Sequence, residues 1–165
     1  MSVKKIVKIG DPVLRQRSME VEKIDSEIIS LVKDMKDTIS VDDYNAVGLA
    51  APQIGVLKRV IMINWEKIQV YINPEIEILD SSTEELHEGC LSVYSVGAMI
   101  KRPKKIRVKA MNLKGEKLDF TAEGMLARIF IHEKDHLEGK LFIDYLDSKE
   151  KRDLMVKISE MSRKT

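Results

Sequence analysis

His132, Glu133 and His136, an HExxH pattern, constrain this chain more than any other feature. Four positions apart on an α-helix, two imidazoles stand on one face, roughly 6 Å apart along the axis. So placed, they can share one divalent metal ion, while the carboxylate between them reaches a water as a general base. A fold that uses them must bury that helix face against a third ligand. Read alone, the five residues also fit an exposed helical segment whose histidines punctuate a charged run.

The 165 residues are read as a single domain, 1–165, long enough to bury about 70% of the surface exposed by the unfolded chain. Lys and Arg total 28 against 27 Asp and Glu, a net charge of +1. Nothing in that balance argues for a specific nucleic-acid partner or an anionic membrane. The apolar runs are far too short for a bilayer span, and no signal peptide is read at the amino terminus. The basic run Lys101-Arg102-Pro103-Lys104-Lys105 is read as a solvated edge. Cys90 is the only cysteine, so an intramolecular disulfide is impossible, which suits a reducing compartment.

Ile24, Ile28, Val32, Met35 and Ile39 recur at helical spacing, and Asp25 or Ser26 can cap the first turn, so a helix is predicted over Asp25–Ser40. Short β-branched runs predict strands at Arg59–Ile63, Gln69–Ile72 and Ile76–Leu79. Ile106, Val108 and Ala110 alternate with Arg107 and Lys109, as a half-buried strand should. Asn112–Gly115 then turns into a strand at Lys117–Phe120. The helical period returns from Ala122, with Thr121 as cap and Gly139 as stop, and places Met125, Ile129, His132 and His136 on one face. A last helix is predicted over Ser148–Ser162. The fold class is therefore α+β: antiparallel strands packed around a central helix carrying HExxH, with N-terminal and C-terminal helices. Most of the nine methionines sit at core-facing spacings.

A catalytic centre of this kind needs a third protein ligand. Glu88-Gly89-Cys90-Leu91-Ser92 places the sole thiol after a glycine that permits a tight turn. Taken singly, Cys90 equally fits a small buried hydrophobe. Gly48-Leu49-Ala50-Ala51-Pro52-Gln53 combines small residues, which admit an extended peptide, with an amide able to donate to an oxyanion. In isolation it reads as a tight turn or a packed strand end.

Together the three segments resemble the peptide deformylase family. Val47–Gln53, Glu88–Ser92 and His132–His136 look like its three motifs, in the family's order and approximate spacing. The resemblance extends to Gly10–Arg15 and Leu137–Asp144, and the compact length with a C-terminal helix is similar to the bacterial branch. Three positions depart from the usual pattern: Ala46 for glycine, Ile131 for glutamine and Tyr94 for proline. None removes a ligand or the base.

The resemblance implies a metal-dependent amidase that removes formyl groups from N-formylmethionyl nascent peptides in the cytoplasm, with transient ribosome association and no membrane partner. It implies Cys90, His132 and His136 as metal ligands, Glu133 as proton shuttle, and the Gln53 amide and Leu91 N–H as oxyanion donors. It implies one divalent ion, Fe(2+) in the cell, with Zn, Ni or Co able to substitute. The peptide would lie extended between Val47-Gly48 and Gly89. Its first side chain would enter a pocket lined by Val47, Leu86, Met125 and Ile129. Glu88 is expected to orient the ligand loop by pairing with Arg102. On the residues alone three other readings stay open. These are a zincin-type endopeptidase with a downstream third ligand, a closed structural metal using His87 as fourth ligand, and a metal-free peptide binder.

Overall fold

Asp25 caps the first long helix as its sequence predicts: its carboxylate accepts from the Ile28 N–H at 3.1 Å, a contact worth about 1 kcal/mol. The computed structural model describes residues 2–164. Helix α1 (Ser26–Ile39) buries Ile28, Leu31, Val32, Met35 and Ile39 along one stripe. Strands β1 (Gly48–Ala50), β2 (Val60–Trp65), β3 (Lys67–Gly89), β4 (Gly97–Met111) and β5 (Lys117–Glu123) follow. They form one sheet in the order β1-β2-β3-β4-β5, with every neighbouring pair antiparallel. Helix α2 (Gly124–Leu137) and helix α3 (Ser148–Arg163) complete the chain. This is the α+β class that the residue patterns predict.

The two-residue period of the strands divides the sheet between two helices. Leu49, Val60, Met62 and Ile72 face α1. Their neighbours Ala50, Ile61, Ile63 and Tyr71 face the other way and pack with Ala127, Phe130 and Leu137 of α2. Phe130 anchors that side, with ring centroids 4.9 Å from Tyr71 and 5.6 Å from Phe120. A third cluster joins Val93 and Ile100 to Leu141, Phe142 and Ile143, and to Leu154 and Ile158 of α3. Helix α2 is thus gripped along its length, and the site it carries sits between the second and third clusters. Among the described residues, no helix is long and apolar enough to cross a membrane.

Several boundaries differ from the predicted ones. Gln69–Ile72 and Ile76–Leu79 are parts of one strand, β3, which continues through register shifts at Ile72/Glu75, Ile78/Asp80 and Asp80/Thr83. Each shift displaces the alternation that would mark a single strand. Helix α2 starts at Gly124, because β5 runs on to Glu123 and keeps Thr121 in the ladder opposite Arg107. Gly139 does end α2: it holds φ +73°, and a Cβ there would overlap the Arg15 carbonyl. The basic run is a solvated edge only in part: Lys101 and Lys104 are exposed. It lies inside β4, and Arg102 is buried. Met35 and Met62 are buried, but Met19, Met99, Met125 and Met155 are exposed, so core packing does not account for most methionines; Met1 lies outside the described residues.

Candidate metal centre and cleft

Three segments converge. Gly48–Ala50 forms β1 against Ile61–Ile63 of β2. The chain then tightens into a 3-10 turn, Ala51–Ile54, and Gln53 turns its side-chain oxygen back to accept from the Ala50 N–H at 2.9 Å. At the end of β3, Cys90 is extended and opens a second short turn, Leu91–Val93. Helix α2 supplies His132, Glu133 and His136 from its last two turns.

One ligand atom from each of Cys90, His132 and His136 lies within 4.8 Å of the others. Cys90 Sγ is 3.4 Å from His136 Nε2, and the two imidazole centroids are 5.2 Å apart at 72°. Phe142 stacks behind His132 at 6.2 Å. His87 is not in this cluster, which disfavours a closed four-ligand site. A thiol and two imidazoles suit a divalent transition ion. A set of three leaves a position open.

The surrounding charges hold this arrangement. Glu88 Oε1 accepts from Arg102 Nη2 at 2.9 Å and faces His132 Nδ1 at 2.9 Å; Oε2 accepts from Arg102 Nε at 2.8 Å and Arg128 Nη1 at 2.5 Å. Burial alone would raise the Glu88 carboxyl, but hydrogen bonds and charge from Arg102 and His132 outweigh it and hold it at about 2. An ionised carboxylate only accepts, so His132 Nδ1 carries the hydrogen and Nε2 is left for the cluster. Arg102 also donates to Asp135 at 2.9 Å and lies 4.5 Å from the Tyr145 ring centroid, while the Tyr145 hydroxyl donates to Asp135 at 2.7 Å. Burial and Asp135 push the Tyr145 phenol up to about 12.

Burial would lower His132, but its hydrogen bonds to Cys90 and Glu88 raise it well above an ordinary imidazole. His136 falls well below, through burial and the charges of His132 and Arg102. A cation among these groups competes with the His132 proton. Glu133 is buried with Oε1 unpartnered. Burial, reinforced by Glu88 and Asp135 against the pull of His132, raises its carboxyl to about 7. Its carboxylate lies against Gly48, where any Cβ would overlap it.

These groups border a cleft of about 440 Å³, lined by Val47, Gly48, Gln53, Gly89, Cys90, Leu91, Met125, Ile129, His132 and Glu133. His136 is buried and outside that lining. Leu86 does not line it either: it pairs with the core residue Ile100, and the next residue, His87, reaches the cleft instead. Gln53 Nε2 lies 3.4 Å from Cys90 Sγ and 3.2 Å from Ser92 Oγ, so its amide hydrogens point at the ligand loop. A larger hollow of about 570 Å³, beside Trp65, Tyr71 and Phe120, has no thiol or imidazole in its lining and cannot support the same chemistry.

The expected Glu88–Arg102 pairing is present. Sequence reading missed Arg128 and Tyr145, which complete it. Arg128 stands one helical turn before His132, the only local signal for its part; nothing local marks Tyr145. Ile131 packs at the margin of the α2 cluster, and Tyr94 lines the cleft with a positive φ of 57°.

A sequence model of the polypeptide deformylase family matches residues 3–152. Peptide deformylase from Carboxydothermus hydrogenoformans is 48% identical over 149 residues, covering 90% of this chain and 96% of that protein. The Pseudothermotoga lettingae peptide deformylase is 43% identical, covering 99% and 96%. Among solved structures, a peptide deformylase from Legionella pneumophila superposes with a TM-score of 0.90 at 37% identity, covering 98% of this chain and 96% of that one. The Ehrlichia chaffeensis enzyme in complex with actinonin gives 0.89 at 36% identity, covering 97% and 98%. On this evidence of sequence and fold together, the chain belongs to the peptide deformylase family.

Proposed function

We propose that this chain is a metal-dependent hydrolase that removes the formyl group from N-formylmethionyl peptides, with one divalent ion held by Cys90, His132 and His136. The observation that carries the proposal is the convergence of those three ligand atoms with the buried carboxylate of Glu133, whose Oε1 has no hydrogen-bond partner. When bound, the ion supplies Lewis acidity: it acidifies a water and draws charge from the formyl oxygen.

The protein's own groups do the rest. Glu133 takes the proton of the attacking water and delivers it to the departing amine nitrogen. Its buried carboxylate, with Oε1 free of any hydrogen-bond partner, is placed to accept and then donate that proton. The water oxygen bonds to the formyl carbon, the carbon–nitrogen bond breaks, and formate and a free amino terminus leave. Gln53 Nε2 and the Leu91 N–H stabilise the oxyanion: the contacts to the Ala50 N–H and Ser92 Oγ hold the amide in place, and the Nε2 hydrogen that faces Cys90 Sγ at 3.4 Å is the one turned to the oxyanion. The peptide lies extended between Val47-Gly48 and Gly89 as an added strand. Its methionine side chain occupies the cleft against Val47, Met125 and Ile129, with Leu86 no longer among the pocket residues.

The ion is ferrous iron in the cell, replaceable by zinc, nickel or cobalt, because a thiolate with two imidazoles accepts all four. The 165 residues act as one catalytic domain in the cytoplasm, on nascent peptides met through transient contact with the ribosome. Formate release from formyl-Met-Ala-Ser, with metal analysis on the same anaerobically purified sample, tests the proposal. Formate in step with new amine, from protein holding one equivalent of metal, is the expected result. Metal-replete protein that releases no formate would overturn it.

A further inference from the structure

Three hydrogen bonds tie residues 7–9 to both oxyanion-donor segments. The Val7 N–H donates to the Gln53 carbonyl at 2.8 Å, and the Ile9 N–H donates to the Ser92 carbonyl at 2.8 Å. Between them, Lys8 Nζ donates to the Leu91 carbonyl at 2.6 Å and lies 5.2 Å from the centroid of the Tyr94 ring. Tyr94 closes the Leu91–Val93 turn at φ 57° and ψ −149°, a conformation almost reserved for glycine. A side chain persists there only when its surroundings hold it, and such strain gathers at working sites. The ammonium, bonded to the turn's first carbonyl and set over the ring at its end, clasps the turn from both sides.

We infer that Lys8 is a positioning residue for deformylation. By holding the Leu91 carbonyl and the Tyr94 ring, it fixes the direction of the Leu91 N–H and the wall of the cleft that Tyr94 forms. Lys8 is not among the residues lining the cleft, so it acts through Leu91 and Tyr94 and not on the substrate. The inference rests on the proposed role of Leu91 as an oxyanion donor. A donor displaced by a fraction of an ångström stabilises the transition state less while binding the ground state almost as well.

Lys8→Met and Lys8→Arg test it, each with kcat and KM on formyl-Met-Ala-Ser, metal content, and amide hydrogen exchange of residues 90–95. In Lys8→Met, kcat should fall about tenfold with KM changed less than about threefold and metal content unaltered. Exchange in residues 90–95 should rise about tenfold, and Lys8→Arg should restore both properties. Unchanged exchange would overturn the inference. Faster exchange with unchanged kcat would also overturn it, reducing Lys8 to a staple without catalytic consequence. Exchange is read without substrate, so an inert parent protein would count against the deformylase reading while the exchange result still judged the clasp.

Discussion

His132 Nδ1 lies 2.9 Å from one oxygen of Glu88, whose other oxygen accepts from both Arg102 and Arg128. One carboxylate therefore orients a ligand imidazole and pairs with two buried guanidinium groups, one of which is shared with Asp135. Glu88→Gln leaves those cations short of charge in a place water does not reach. The variant should lose about 3–5 kcal/mol in urea unfolding of the metal-free protein. Competition with a chelator should show metal affinity reduced about 10–100-fold. A stability loss below about 1 kcal/mol would mean that water screens the pair.

Glu133 offers the opposite trade. Its carboxylate is buried with one oxygen unpartnered, a cost to the fold that only function explains. Glu133→Met should stabilise the metal-free protein by about 1–3 kcal/mol. It should lower turnover by about 10²–10⁴-fold while metal is retained. A variant less stable than its parent would show that the carboxylate contributes to folding after all.

Gly48 matters for what it lacks. Its backbone is compatible with any side chain, yet a Cβ would overlap the Glu133 carboxylate. Gly48→Ala should leave the melting temperature within a few degrees and reduce kcat by about 10²-fold through displacement of the base. Near-parental turnover would show that Glu133 has room to work from a second position.

Asp144 gives a pH signature away from the metal ligands. It pairs with Arg15 at 2.7 and 3.2 Å and accepts from the Leu141 N–H at 3.1 Å. Burial would raise its carboxyl, but Arg15 and that amide hold it below the usual range. A depressed folded pKa adds stability above the unfolded value of about 3.9, and that stability disappears as pH falls through the folded value. Asp144→Asn should therefore cost about 1 kcal/mol at pH 7, with the gap to the parent closing below about pH 4. A gap that persists in acid would assign the effect to hydrogen-bond geometry instead of charge.

The sequence is most legible where structure is local. Asp25, the stripe from Ile28 to Ile39 and Gly139 mark helix ends and faces within one or two turns, and they lie where predicted. The strand at Ile106–Ala110 alternates as read, because one face meets α2 and the other water. The single strand β3 was hidden because its bulges break the alternation, so it looked like two. The pairing of Arg102 with Glu88 was expected but its burial was not, because its other partners, Asp135 and Tyr145, come from a helix and the turn beyond it. His87 takes the cleft position expected of Leu86 for a related reason: which face of β3 meets the cleft depends on pairing with β4. Lys8 carried no signal at all, since its contacts lie 83 residues away at Leu91 and farther still at Tyr94.

The cluster around Arg102 also bears on how such a chain can drift over generations. Two guanidinium groups, two carboxylates, an imidazole and a phenol share one set of contacts, and no member can leave without stranding another. Single replacements at Glu88, Arg102, Arg128 or Asp135 lead through an unbalanced intermediate before any compensating change can arrive. These positions are therefore expected to stay fixed together or to change in concert, while Ile131, packed at the margin of the α2 cluster with no ionic partner to betray, is where lineages are free to part.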